Sequence, residues 1–169
     1  MYSGCFHIRF LNKYILVFAF LSIFITDTYS QDENYIALSS AVFDVLQQDA
    51  PSFEGRVEFR LGKLKFIGQP FTGFMFNTDG AVHLFAGLYY DIHISDYFVL
   101  TPSFAPGLYA KRKSKDLMYA LEFRSQIEFT YVFTNHSRIG FSFNHISNAS
   151  FGEENPGVES FALTYVIPF

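Results

Sequence analysis

Alternation of apolar and polar residues is the strongest pattern in the chain, and it is clearest over residues 117–134. The odd-numbered positions there are mostly large and apolar, as at Leu121 and Phe123, whereas Glu122 and Arg124 stand at even-numbered positions. A period of two places successive side chains on opposite faces of a β-strand. The segment is longer than the usual strand of a soluble protein. It suits a tilted strand that crosses a membrane with one apolar face.

Weaker alternation elsewhere predicts seven more strands, which gives eight in all. The predicted strands are approximately 34–46, 53–63, 65–77, 81–94, 97–109, 117–134, 138–149 and 158–169. An even number of strands puts both ends of the chain on the periplasmic side of a barrel. The longer connections, Gln47–Ser52, Ala110–Asp116 and Ser150–Gly157, then face outward, and the short turns at 95–96 and 135–137 face the periplasm. This asymmetry is typical of outer-membrane barrels.

No uncharged stretch after residue 30 is long enough to cross a bilayer as a helix. The longest, Tyr97–Ala110, has 14 residues and is interrupted by Pro102, Pro106 and Gly107, whereas a spanning helix needs about 18 or more apolar residues. A closed β-barrel is the other structure that satisfies its backbone hydrogen bonds in lipid. The sequence therefore predicts an all-β, eight-stranded antiparallel transmembrane β-barrel of the bacterial outer membrane.

A soluble alternative stays open at this point, because a period of two does not say which face points inward. A small secreted barrel with an apolar ligand cavity, as in the lipocalins, shows the same alternation. The terminal Phe169, which resembles the C-terminal aromatic residue that barrel-assembly machinery recognises, favours the membrane barrel. Cys5 is the one cysteine, so the chain has no disulfide of the kind that often supports small secreted domains.

Composition supports a lipid-facing surface and excludes several classes of protein. The chain has 23 Phe and 11 Tyr among 169 residues, and only 17% of its residues are charged, against about 25% in a typical soluble domain. Abundant aromatic residues exclude a disordered chain. The formal net charge of −4 argues against a nucleic-acid partner. A single cysteine excludes a disulfide framework and a cysteine-based zinc site, and we expect neither a metal nor a cofactor.

The first thirty residues have the features of a secretory signal peptide. Arg9 and Lys13 precede an apolar run, Tyr14–Ile25, and the small residues Thr28 and Ser30 follow it. This order of basic, apolar and small residues is what a signal peptidase substrate contains. We therefore expect residues 1–30 to be cleaved and residues 31–169 to form the barrel domain.

Three polar residues fall on the apolar face of the last two predicted strands. His145 and Ser147 continue the odd-numbered series that contains Phe143, and Glu159 precedes Phe161 on the apolar face of strand eight. His145 lies about as far above the turn at 135–137 as Glu159 lies above the C-terminus. Opposed residues of adjacent antiparallel strands have Cβ atoms about 5 Å apart, so the two side chains are expected to meet near the outer interface.

Serine, histidine and an acid in one cluster can perform nucleophilic catalysis on an ester. His145 would accept the proton of Ser147, and Glu159 would orient the imidazole and stabilise its charged form. The oxyanion needs hydrogen-bond donors, for which the backbone amides of Asn148 and Ala149 and the side chain of Asn155 are candidates. The alternative is that these residues are simply the polar rim of a barrel.

The same residues resemble a family signature. The run His145-Ile146-Ser147-Asn148-Ala149, followed by Asn155-Pro156-Gly157 and Glu159, is similar to that of the PagL family of outer-membrane lipid A 3-O-deacylases. The resemblance implies an eight-stranded barrel, a lipid-facing triad of Ser147, His145 and Glu159, and Asn155 in the oxyanion hole. It also implies cofactor-free hydrolysis of the ester-linked 3-O acyl chain of lipid A, with lipopolysaccharide as substrate among the lipids of the outer membrane.

Four basic residues crowd the predicted outer loop before strand six. They are Lys111, Arg112, Lys113 and Lys115. Cations there could pair with the phosphates of lipid A, or they could simply solvate a turn. The competing function for the whole chain is a non-catalytic barrel with a structural or adhesive role.

Overall fold

The computed structural model describes residues 33–62 and 68–169, and its regular secondary structure is β throughout. The predicted signal peptide, residues 1–30, lies outside the described residues. We number the strands β1 (Tyr35–Phe43), β2 (Ser52–Arg60), β3 (Gln69–Asn77), β4 (Val82–Tyr89, continued by Ile92–His93), β5 (Phe98–Ala110), β6 (Leu121–Val132), β7 (Arg138–Ser147) and β8 (Val158–Pro168). In these two ranges no helix has the length and apolar character needed to span a bilayer.

The strands form a closed antiparallel barrel. Each strand pairs with the next one along the chain, and β1 pairs with β8 to close the sheet. The predicted fold class, an eight-stranded antiparallel barrel, is confirmed. The start of β1 and the end of β8 lie at one end of the barrel, which we call the terminal end. The connections 44–51, 78–81, 111–120 and 148–157 lie at the other, which we call the loop end.

An interruption in β4 has a simple cause in β5. Tyr89 pairs with Ser103 and Ile92 pairs with Leu100, so the register is the same on both sides of the gap. Pro102 lies opposite the gap, where it accepts a hydrogen bond from the Tyr90 N–H at 3.0 Å. Proline has no N–H to donate in return. The two pieces therefore occupy one strand position of the barrel.

Charged side chains fill much of the interior. Those that are almost completely buried there are Glu54, Arg56, Glu58, Arg60, Asp91, Glu122, Arg124, Glu128 and Arg138. Arg60 lies 2.7 Å from Glu58 and 2.8 Å from Glu128, and Arg138 lies 2.7 Å from Asp91. Buried ions need such partners because unpaired charges are very costly in a low-dielectric interior.

The outward face is covered by large apolar side chains, many of them stacked between neighbouring strands. The rings of Phe98 and Phe129 are 5.4 Å apart, and those of Phe141 and Phe161 are 5.6 Å apart. This apolar exterior around a charged interior is the arrangement of a barrel that sits in lipid.

The strand predicted over 117–134 is shorter than the alternation suggested. β6 begins at Leu121, because Met118 has a left-handed backbone with φ of 64° and interrupts the alternation. The sequence placed Leu117 on the outward face, and that was wrong: its side chain is 1% exposed and packs in an interior apolar cluster with Phe43 and Ile146.

Candidate active site

β7 and β8 bring a histidine and a glutamate together on the outward face. His145 lies directly opposite Glu159 in the ladder, and its Nδ1 is 2.8 Å from Glu159 Oε1. The side chain of His145 is 44% exposed, whereas that of Glu159 is 13% exposed. An ionised carboxylate can only accept a hydrogen bond, so Nδ1 carries the proton. Nε2 is then left to accept one, as the base of a hydrolytic triad does.

Ser147 lies on the same outward face, two residues further along β7. It is half-buried and pairs with Phe123 of β6. No hydrogen bond joins Ser147 to His145 within the parts of the chain that the structure describes. Hydrogen bonds between a nucleophile and its base often tighten only when substrate is bound.

A second serine also neighbours His145. Ser125 of β6 is exposed and pairs directly with His145, from the side opposite Glu159. Ser125 is an odd-numbered position of its strand, so the alternation places it on the apolar face, but the alternation does not connect it with His145. The pairing of Ser125 with His145 depends on the register of β6 and β7. Counting equal numbers of residues back from the end of β6 and forward from the start of β7 gives this pairing.

A tight turn follows Ser147 and is held by Asn148. Ala149 and Ser150 both have left-handed backbones, with φ of 52° and 65°, and the Phe151 N–H donates to the Asn148 carbonyl at 3.0 Å. The buried Asn148 side chain donates to the Leu117 carbonyl at 3.0 Å and to the Glu154 carbonyl at 2.7 Å. Left-handed backbone costs about 1–2 kcal/mol per residue outside glycine, so these bonds stabilise an unfavourable conformation.

The three predicted oxyanion donors occupy different positions. The Asn148 N–H donates to Asn155 Oδ1 at 3.1 Å, so it already has an acceptor. An N–H can only donate, so the Asn155 atom facing it is the oxygen, and the Asn155 Nδ2 amide is left for another acceptor. Asn155 and Ala149 are both exposed beside the end of β7.

Gly157 packs directly against the imidazole ring. Its backbone is left-handed, with φ of 62°, and a Cβ added there would lie 2.8 Å from His145 Cε1. Any side chain at this position would push the ring away. In the sequence, Pro156 and Gly157 stand out only as part of the family signature.

An aromatic row runs from the site along the outward face. The ring of Phe123 lies 5.7 Å from that of Phe151 and 5.9 Å from that of Phe104. Because Phe123 is the ladder partner of Ser147, the serine hydroxyl and an apolar surface are adjacent. An ester that carries a long hydrocarbon chain matches this combination.

The four basic residues at the loop end have different partners. Lys115 lies 2.8 Å from the fully buried Asp44, and Lys111 pairs with Asp116. The side chains of Arg112 and Lys113 have no ion-pair or hydrogen-bond partner in the described ranges, and both are exposed. Within residues 33–62 and 68–169, no three His, Cys, Asp or Glu side chains are arranged to hold a metal ion.

The connection between β1 and β2 also contacts this region, which the sequence did not indicate. The Val45 N–H donates to the Glu159 carbonyl at 3.0 Å. Burial favours the neutral acid of Asp44, but hydrogen bonds from Lys115 and the Ala50 amide outweigh it and hold the pKa of Asp44 below its ordinary value. No local pattern announces these contacts, because Asp44 and Lys115 are 71 residues apart.

Comparisons with known proteins agree on fold and family. The family model described as lipid A 3-O-deacylase (PagL) matches residues 52–168. A crystal structure of the outer-membrane enzyme PagL is similar, with a TM-score of 0.61 and 21% identity over 79% of this chain and 99% of that one. A designed transmembrane β-barrel has a TM-score of 0.57 and 8% identity over 82% of this chain and 96% of that one. No curated protein matches the chain.

Proposed function

The chain belongs to the PagL family of lipid A 3-O-deacylases, and we propose that it hydrolyses the ester of the 3-O-linked acyl chain of lipid A in the outer membrane. In this proposal Ser147 is the nucleophile, His145 the general base and Glu159 the acid that orients it. The observation that carries it is the 2.8 Å hydrogen bond from His145 to Glu159 on the outward face, with Ser147 two residues away on the same face.

Acylation begins when Ser147 Oγ attacks the ester carbonyl carbon while His145 Nε2 takes the hydroxyl proton. The carbonyl oxygen becomes an oxyanion, to which the free Asn155 Nδ2 donates, and the exposed Ala149 N–H is the second candidate donor. Collapse of this intermediate breaks the bond to the sugar oxygen, which receives the proton from His145. The products at this stage are an acyl-serine and a free sugar hydroxyl.

Deacylation repeats the same chemistry with water. His145 Nε2 removes a proton from water as the hydroxyl attacks the acyl-serine, and then returns it to Ser147 Oγ. A free fatty acid leaves and the enzyme is regenerated. Glu159 stays ionised throughout and stabilises the imidazolium that forms in each half of the reaction.

The position of the site explains how a membrane lipid reaches it. The triad lies near the loop end, which we assign to the outer side of the membrane, and it faces lipid rather than the interior. The aromatic row of Phe104, Phe123 and Phe151 offers an apolar surface to the acyl chain. Of the four basic residues, Arg112 and Lys113 are the ones whose side chains have no partner within residues 33–62 and 68–169, so these two are available to bind lipid A phosphates, whereas Lys111 and Lys115 already have acidic partners.

The proposal is tested by mass spectrometry of lipid A from Gram-negative cells that express the protein. Wild type should remove one ester-linked acyl chain, and Ser147→Ala should leave lipid A intact while the protein still shows heat-modifiable gel mobility. Loss of the nucleophile in hydrolases of this kind reduces the rate by about 10⁶-fold. An unchanged lipid A profile with folded wild type would instead favour the structural or adhesive barrel.

Ser125 provides the control for the identity of the nucleophile, since it is the serine directly opposite His145 in the ladder, whereas Ser147 lies two residues along the same strand. A fluorophosphonate should label wild type and Ser125→Ala covalently but not Ser147→Ala. If labelling disappears in Ser125→Ala and persists in Ser147→Ala, the nucleophile is Ser125 rather than Ser147.

A further inference from the structure

The connection between β1 and β2, residues 44–51, joins two parts of the loop end that are distant in sequence. Toward the β5–β6 connection, the ammonium group of Lys115 lies 2.8 Å from Asp44 Oδ1 and donates to the side-chain oxygen of Gln47. The side chain of Lys115 is only 8% exposed, so this cation is fixed within the protein. Asp44 is anchored in turn by the Ala50 N–H, which donates to its Oδ2 at 2.8 Å.

The other end of the Gln47 amide contacts the segment that precedes β8. Gln47 Nε2 donates to the Pro156 carbonyl at 3.3 Å. Pro156 is followed by Gly157, whose backbone lies against the ring of His145. A glycine can hold a ring only if its own backbone is fixed, and the Pro156 carbonyl belongs to the peptide unit that leads into Gly157. Gln47 is therefore linked to His145 through two contacts, its hydrogen bond to the Pro156 carbonyl and the packing of Gly157 against the imidazole ring.

We propose that Gln47 is a positioning residue for the esterase, in which the amide bridges the fixed Lys115 ammonium and the Pro156 carbonyl and so holds Gly157 against His145. This inference rests on the proposed function of the site. Through these contacts the imidazole keeps the orientation in which Nδ1 faces Glu159 and Nε2 is left to accept a proton. Small displacements of a catalytic group lower the rate steeply, by about a hundredfold for an ångström.

An amide is the side chain that this position requires. The ammonium of Lys115 needs an acceptor and the carbonyl of Pro156 needs a donor, and one primary amide supplies both. Glutamate has the same shape and would keep the contact with Lys115, but it cannot donate to the Pro156 carbonyl. Gln47→Glu thus removes one contact and preserves the other.

The test compares purified wild type, Gln47→Glu, Gln47→Ala and Gln48→Asn in detergent micelles with a lipid A substrate. Gln48 is the matched control, because it is exposed, its side chain donates to the Val45 carbonyl at 3.5 Å and its left-handed backbone is one that asparagine accepts. Both Gln47 variants should have kcat reduced about tenfold with KM within about twofold of wild type. Their labelling by a fluorophosphonate should slow in parallel, while Gln48→Asn matches wild type in both measurements.

Wild-type kcat and labelling rate in Gln47→Glu would overturn the inference and leave the esterase proposal intact. A rise in KM at unchanged kcat would also overturn it, because that result assigns Gln47 to substrate binding. Inactivity of the wild type itself would overturn the proposed function, and the inference with it. Gln47 is exposed at the loop end, so its variants are expected to fold, which heat-modifiable gel mobility checks.

Discussion

The interior of the barrel and its outward face near the loop end both carry ionisable side chains, but they hold them in different ways. Inside, Arg60 has two carboxylate partners and is almost completely buried. Outside, His145 has a single carboxylate partner and is 44% exposed. Arg60, Glu58 and Glu128 form a fixed interior cluster of opposite charges, whereas the outward pair leaves one imidazole nitrogen available.

This difference separates the groups that stabilise the barrel from those that can react. A buried ion pair is costly to break because the remaining charge has no solvent. A partly exposed histidine with one oriented nitrogen can exchange protons with a substrate. We therefore expect substitutions on the two faces to affect different measurements, stability inside and hydrolysis outside.

The largest expected effect is on the outward face. Glu159→Gln should reduce kcat by about 10⁴-fold, because an amide in place of the acid favours the wrong tautomer of His145 and cannot stabilise its charged form. The release of fatty acid from lipid A in micelles measures the rate. The unfolding temperature should stay close to that of wild type. A variant that kept wild-type kcat would remove Glu159 from the catalytic group.

The next effect belongs to the interior. Arg60→Met should lower the free energy of unfolding by about 3–5 kcal/mol, because Glu58 and Glu128 would remain buried without their shared cation. Urea unfolding in lipid vesicles measures it, with Arg112→Met as a control for loss of an exposed arginine. The hydrolytic rate per folded molecule should not change. A variant as stable as wild type would show that the interior charges are not a stabilising network.

The smallest effect is at the loop end and depends on pH. The pKa of Asp44 is lowered in the folded protein, so its contribution to stability is complete above the unfolded value of about 3.9 and is lost as pH falls through the folded value. Asp44→Asn should cost about 2 kcal/mol at pH 7, the scale of a hydrogen bond to a charged group. The difference between wild type and variant should shrink below about pH 4.

Unfolding free energies of both proteins between pH 3 and pH 7 test this expectation. A difference that stays constant across the whole range would mean that the Asp44 carboxylate does not titrate differently in the folded and unfolded states. In that case the contact with Lys115 would not contribute through its charge.

The regular part of the molecule could be predicted because strand parity is a local property. The positions of Phe141, Phe143 and His145 on one face follow from counting in twos. The placement of His145 opposite Glu159 follows from counting His145 from the turn at 135–137 and Glu159 from the C-terminus. The predicted bounds of β7 and β8 differ from those of the structure by at most two residues. The membership of the PagL family, suggested by the motif around Ser147, is confirmed.

The irregular parts could not be predicted, because they depend on backbone conformations and partners outside any local pattern. Leu117 points inward because the left-handed backbone of the next residue, Met118, interrupts the alternation. The apolar-polar pattern gives no sign of that backbone conformation. Lys115 was grouped with its basic neighbours, but its acidic partner Asp44 comes from a distant loop. The catalytic roles of Ser147, His145 and Glu159 stay a prediction for the experiments above.

The arginine side chains that cross the interior leave the outward face as the surface on which the proposed esterase meets its substrate, and this has a kinetic consequence. For an esterase built in this way, encounters occur by lateral diffusion within one leaflet. Its velocity then depends on the mole fraction of substrate among the surrounding lipids rather than on a concentration per volume of water. Diluting the substrate with inert lipid at a constant amount of substrate should slow turnover, and the released fatty acid should enter the lipid that surrounds the protein.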